Sequence, residues 1–173
     1  MKEIELRKKI LASFQKHCKK CNAPCCLGKD FAVFNWELKK LPFGGKDLVI
    51  GKYKNHEKKL AKYALIRNRC VYLGDTGCKL KLGIRPIDCL SYPVYPIIKK
   101  RKNKNKVIVE MIGMMVHNEC LFYKEISKDR ELMLMMKIFW DEKIKHLSES
   151  EISDWFGDMR NYWSEKNVIK FLF

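Results

Sequence analysis

The stretch Cys18-Lys19-Lys20-Cys21-Asn22-Ala23-Pro24-Cys25-Cys26 holds four of the chain's eight cysteines. Two residues between Cys18 and Cys21 let a tight turn aim both sulfurs at one point, a spacing that recurs in zinc knuckles and iron–sulfur sites. Neighbouring Cys25 and Cys26 are different, because adjacent side chains diverge and both on one ion would strain the backbone. That pair suits two metals, two irons of one cluster, or one ligand beside a supporting or reactive thiol. Pro24 and Gly28 break regular structure and leave a tight loop able to wrap an ion. Buried cysteines used as small hydrophobes are usually scattered. Four so close together do not fit that pattern.

Downstream lie Cys70, Cys78, Cys89 and, further on, Cys120. None of these intervals is diagnostic alone. With the first group they allow two four-cysteine sites, or one cluster plus surplus thiols. His117 stands three residues before Cys120 and His17 directly before Cys18. Imidazole suits zinc or iron, but a lone histidine ending an apolar strand is more commonly an ordinary polar residue. Asp75 and Asp88 near the cysteines can be read as acid–base groups, or as turn and surface residues, and the second reading is preferred.

Cys18-x2-Cys21-x3-Cys25-Cys26, followed by Cys70, Cys78, Arg85-Pro86, Cys89 and Tyr92-Pro93, resembles the YkgJ-type cysteine-cluster family, described as a zinc- or iron-chelating domain. The resemblance spans about Cys18 to Cys120. It implies that all eight cysteines are metal ligands. It also implies that Arg85 supports the cofactor site, donating hydrogen bonds to sulfur or backbone and offsetting thiolate charge. The chain departs from the family at Lys79-Leu80-Lys81-Leu82, where a Tyr commonly follows the cysteine, and at Leu90, where Arg is frequent. These departures leave the ligands intact and put any activity tied to the neighbouring residues in doubt. A similar cysteine motif occurs in flagellin lysine methylases, where it goes with an iron–sulfur cluster. That resemblance, rather than any spacing, brings protein modification into view.

Outward from the cysteines the chain reads as an α+β single small domain over residues 1–173. Terminal helices surround a cysteine-rich loop region with short antiparallel strands. Leu6, Ile10 and Phe14, widened by Ile4 and Leu11, predict an amphipathic helix over Glu3 to His17 that runs straight into the first cysteines. Short strands are predicted at Phe31–Trp36, Leu48–Ile50 and Cys70–Leu73, with a turn at Pro42, Gly44 and Gly45. Asn55 predicts a cap for a helix from His56 to about Arg67, with Leu60, Ala64 and Leu65 inward. Val94–Ile98 and Val107–Val116 read as two arms of a hairpin around Lys99-Lys100-Arg101-Lys102-Asn103-Lys104-Asn105-Lys106. This basic run reads as a solvated loop whose lysines discourage edge pairing, or as a contact for phosphates. No aromatic interleaves it, so stacking on bases is not indicated. The helical part, about 127–165, begins with one helix over Ser127 to Leu147, whose Met133–Met136 run is read as core filling. Ser148 and Glu151 form a capping-box pair before a last helix striped with Ile152, Trp155, Phe156, Met159, Tyr162 and Trp163.

The metal-binding core therefore falls at about residues 18–120. Cysteines at this density in a reducing compartment point to metal rather than disulfides, and the N-terminal stretch lacks the apolar segment of a secretory signal. The expected location is the cytoplasm. No run of about 18 apolar residues suggests a membrane span. The formal charge is +16; eight thiolates and two divalent ions would leave roughly +12. Such a surface attracts an acidic protein or nucleic acid, or merely keeps the chain soluble. Phosphate-binding glycine loops, a radical-type cysteine triplet, His-Glu-x2-His and dinucleotide fingerprints are absent. The reading is a metal-binding cysteine-cluster protein holding zinc or an iron–sulfur centre. An iron–sulfur-dependent redox or protein-modifying enzyme, and a basic nucleic-acid module with a structural metal, are its alternatives.

Overall fold

A computed structural model describes residues 2–18, 31–42, 49–51, 62–65, 70–75, 77–103, 106–149, 151–152 and 168–172. The architecture is α+β. Helix α1 spans Glu3–Cys18 and helix α5 spans Arg130–His146; they lie against each other, and α5 lies against a long antiparallel hairpin, β6 (Val94–Asn103) and β7 (Lys106–His117). As the four-residue spacing predicts, Leu6, Ile10 and Phe14 of α1 are buried. Ile4 does not widen the stripe: it is exposed. From α5 the core takes Leu132, Met133, Met135, Met136, Phe139, Trp140 and Ile144, so the methionines do fill the interior. Trp140 is fully buried and still satisfied, because its indole N–H donates to the Val94 carbonyl at 3.2 Å.

The helix expected over Ser127 to Leu147 is two helices. Helix α4, Tyr123–Lys128, stops at Asp129, whose extended backbone (φ −76°, ψ 90°) cannot continue it. The Asp129 side chain then accepts the Leu132 N–H at 2.9 Å and starts α5. A carboxylate with a helical continuation on both sides hides this break from a periodicity argument. The Ser148–Glu151 capping box forms as expected, with Ser148 N–H donating to Glu151 Oε2 at 2.8 Å and Glu151 N–H to Ser148 Oγ at 3.2 Å. The aromatic stripe from Trp155 to Trp163 lies outside the described residues. The described chain does not end in a helix: β8, Val168–Leu172, pairs antiparallel with β7 and makes the hairpin a three-stranded sheet in the order β6-β7-β8.

A second sheet is built from β1 (Phe31–Val33), β2 (Val49–Gly51) and β3 (Lys62–Leu65), in the order β1-β3-β2. Here the sequence reading needs correction. Lys62–Leu65 is a strand, not part of a helix, and Ala64 pairs with both Phe31 and Ile50. The apolar residues around Ala64 satisfy either period over so short a window, and pairing on both edges favours the strand. The strand expected over Phe31–Trp36 ends at Val33, giving way to a one-turn helix α2, Asn35–Leu38. The Asn55 cap and the glycines at 44 and 45 lie outside the described residues.

Between the two sheets the chain is irregular. β4 (Leu73–Gly74) and β5 (Gly77–Cys78) form a minimal hairpin; a 3₁₀ turn follows at Leu82–Ile84, then the short helix α3, Ile87–Ser91. The expected strand at Cys70–Leu73 is instead a turn that reaches strand geometry only at Leu73. A cis Tyr92–Pro93 peptide leads into β6. This stretch has its own small core of Val33, Leu38, Leu41, Tyr72 and Leu80, against which Cys70, Cys78 and Ile84 are packed. The larger core joins the helices and the hairpin.

Candidate metal centre

The turn that carries Cys70 is shaped by its own backbone. Leu73 N–H donates to the Cys70 carbonyl at 2.9 Å, and Lys79 N–H to the Tyr72 carbonyl at 2.8 Å, so the chain folds back on itself across β4 and β5. That fold places Cys78 opposite Leu73 in register. Partial burial raises the Cys70 thiol above its ordinary range; the Tyr72 amide opposes this, nearby Cys78 adds to the rise, and the Leu73 amide again opposes it. Nearby amides favour the thiolate, the form that ligates metal, but at Cys70 burial outweighs them.

Cys89 reaches the same neighbourhood from α3. The residue keeps an exposed surface, yet the mass of protein around it raises its thiol well above the usual range, and Asp88, Cys70, Cys78 and Glu37 push in the same direction. Thus the Cys70 thiol feels the charge of Cys78, and the Cys89 thiol feels that of both, across irregular chain. All three are free thiols.

Arg85 holds the loop between them. Its Nε donates to the Leu80 carbonyl and its Nη2 to the Cys78 carbonyl, each at 3.2 Å. Of the two roles the resemblance allowed, the structure places these bonds on backbone. Arg7 of α1 completes the frame: its Nη1 donates to the carbonyls of Leu82 and Arg85, both at 3.3 Å, while its own charge is paired with Glu3. The long side chain of Arg7 is buried, which a charged residue achieves only when partnered.

Helix α3 is fixed at its start by a residue the sequence reading passed over. Glu37 of α2 is buried, and its two oxygens accept the N–H of Phe34 at 3.0 Å and of Ile87 at 2.7 Å. Ile87 opens α3, so Glu37 caps the helix that carries Cys89. Asp88 is not the solvated residue expected: it is buried and accepts the Tyr95 hydroxyl at 2.7 Å. Burial and the adjacent Asp88 carboxylate push the Tyr95 hydroxyl well up, which keeps it a donor. Asp75 does follow expectation, lying exposed in the turn between β4 and β5.

The remaining candidates gather at the far end of the same region. α1 ends at Cys18, and the ring of His17 lies 6.2 Å from that of Phe122, in the turn after Cys120. Cys120 donates its N–H to the His117 carbonyl at 3.3 Å. The His117 ring is buried, 6.3 Å from Tyr92, and its Nδ1 accepts the Glu119 N–H at 3.3 Å. Tyr92 in turn directly follows α3. The end of α1, the Cys120 turn and the Cys89 helix therefore adjoin. The side chain of Cys18, and Cys21, Cys25 and Cys26 altogether, lie outside the described residues. Among the described residues no group of three His, Cys, Asp or Glu side chains is arranged to hold a metal ion.

Compared with protein-family models, curated proteins and solved structures, the chain finds no match.

Proposed function

We propose that the chain is a metal-binding cysteine-cluster protein, with zinc or an iron–sulfur centre held by Cys70, Cys78, Cys89 and Cys120 together with Cys18, Cys21, Cys25 and Cys26. The observation that supports this reading is the gathering of Cys70, Cys78 and Cys89 in a loop framed by Arg7, Arg85 and Glu37, where Cys70 and Cys78 both act on the Cys89 thiol. Thiols whose charge pushes up a neighbouring thiol are poor neighbours as thiolates until a cation joins them. A soft, thiophilic ion fits this donor set. The resemblance to the YkgJ-type family points the same way. When bound, zinc supplies a fixed tetrahedral tie and an iron–sulfur centre supplies electron-transfer capacity.

Anaerobic purification followed by elemental analysis and a visible spectrum tests the proposal. Broad absorption near about 400 nm with iron and sulfide identifies a cluster; stoichiometric zinc without colour identifies the structural alternative. Cys78→Ser and Cys89→Ser should each lower the bound metal. A folded, metal-free protein with eight thiols that react freely would end the proposal.

A further inference from the structure

His117 stands at a joint between two of the proposed ligand segments. Its own N–H donates to the carbonyl of Pro93, four residues beyond Cys89, at 2.9 Å. Its carbonyl accepts the Cys120 N–H at 3.3 Å. The side chain points inward at 4% exposure, with its ring 6.3 Å from that of Tyr92, the residue that follows α3. The end of β7, the exit of the Cys89 helix and the Cys120 turn are thus tied through one residue.

The turn commits the ring as well. Between the end of β7 at His117 and the start of α4 at Tyr123 the chain has no ladder or helix to shape it. The His117 carbonyl and the Cys120 N–H close a four-residue turn, and inside it Nδ1 of His117 accepts the Glu119 N–H at 3.3 Å. Asn and Asp side chains make the same bond to the amide two residues on in an Asx turn; here an imidazole makes it. A neutral imidazole carries its proton on one nitrogen and a lone pair on the other. The bond from Glu119 assigns the lone pair to Nδ1 and therefore the proton to Nε2. The half-exposed Glu119 carboxylate, 3.9 Å from Nδ1, lies beyond hydrogen-bond reach and does not reverse that assignment. A ligating histidine is arranged the other way, giving its lone pair to the metal while the second nitrogen donates its N–H to a fixed acceptor.

We infer that His117 is a positioning residue of the metal centre and not one of its ligands: its imidazole, held as the Nε2–H tautomer, caps the turn that presents Cys120 and fixes that turn to the chain leaving Cys89. The inference rests on the metal-binding reading above. It resolves the ligand-like spacing of His117 and Cys120 in favour of the cysteine.

Two measurements test it. Nitrogen NMR of histidine-labelled protein should place the His117 proton on Nε2 both without metal and after loading with zinc. Retention of zinc against a competing chelator should then separate two substitutions. The Oδ1 of Asn can replace Nδ1 as acceptor but falls short of the Nε2 position, whereas the longer Gln does not form the Asx-type bond. His117→Gln should lower retention by about 10–100-fold, and His117→Asn should recover most of that loss. Asp129→Ala, which weakens the fold far from the cysteines, should retain zinc as the wild type does. A proton on Nδ1 in the zinc-loaded protein would overturn the inference even if neither variant folds. Equal losses in Asn and Gln, unchanged retention in both, or a loss in Asp129→Ala as large as that in Gln would also overturn it. A wild type that binds no metal would remove the metal-binding reading and this inference together; a loaded wild type with any of the other adverse outcomes would remove this inference alone.

Discussion

Glu37 shows how much a single buried carboxylate can organise. It ties the one-turn helix after β1 to the first residue of α3 through two amide bonds. Burial pushes its carboxyl from the ordinary 4.5 up to about 7; the two amides pull the other way, and Asp88 adds to the rise. Between those two pH values the folded protein keeps a proton that the unfolded chain has released. Folding stability from this group is therefore present below about pH 4.5 and is lost as pH rises through about 7. Denaturant unfolding at intervals over that window should show a falling component of at most about 1.4 kcal/mol per pH unit. Glu37→Gln should lack that component and, with one amide left unpaired, cost about 1–3 kcal/mol at the acid end. An undiminished slope in the variant would assign the titration elsewhere. Arg85 allows a sharper test of the metal site. Lys keeps its charge but loses the planar fork that spans the Leu80 and Cys78 carbonyls. Arg85→Lys should weaken metal retention against a competing chelator by about 10–100-fold with the fold intact; unchanged retention would show that the fork does not position Cys78. Arg85 could be suspected from its place before Pro86, whereas nothing in the local pattern around Glu37 announces a cap for a helix 50 residues away.

Elements were readable where one period ran long enough to exclude the other. The α1 stripe and the paired arms of β6 and β7 are such cases, and each extends somewhat further in the structure than its apolar residues suggest. Lys62–Leu65 was not, since four residues fit a helical face and a strand equally until β1 and β2 are seen on its two edges. β8 escaped notice for a related reason: its pairing is with Gly113–His117, far back in the chain, and no local turn signals it. The break at Asp129 was missed because capping residues and helix-interior residues overlap in type. Its energetic weight can be measured. Asp129→Ala removes the acceptor for Leu132 N–H and also a 3.4 Å contact from Ser13 on α1. We expect a loss of about 1 kcal/mol, or about 2–4 °C in Tm for a chain of this size. Asp129→Asn, able to cap, should recover most of it; equal losses in both variants would place the effect in charge rather than capping.

The two cores divide the molecule in a way that bears on what bound metal would do. The larger core, from Leu6 through Trp140 to Ile152, unites α1, α5 and the β6–β7 hairpin and has Cys120 only at its margin. The smaller one, among the described residues, is Val33, Leu38, Leu41, Tyr72 and Leu80, and its partly buried neighbours include Cys70 and Cys78. The sequence made the cysteines conspicuous but could not reveal this partition, which depends on which apolar residues meet across the folded chain. If metal closes the smaller unit, its removal should unfold that unit and spare the larger. Amide hydrogen exchange after chelation should then show lost protection at Leu73, Lys79 and Ile87, with protection kept in α5 and at Trp140. Far-UV circular dichroism should fall only modestly. Uniform loss of protection would mean that the two cores fold as one, and unchanged protection throughout would mean that the cysteine loop is held by Arg7, Arg85 and Glu37 without metal.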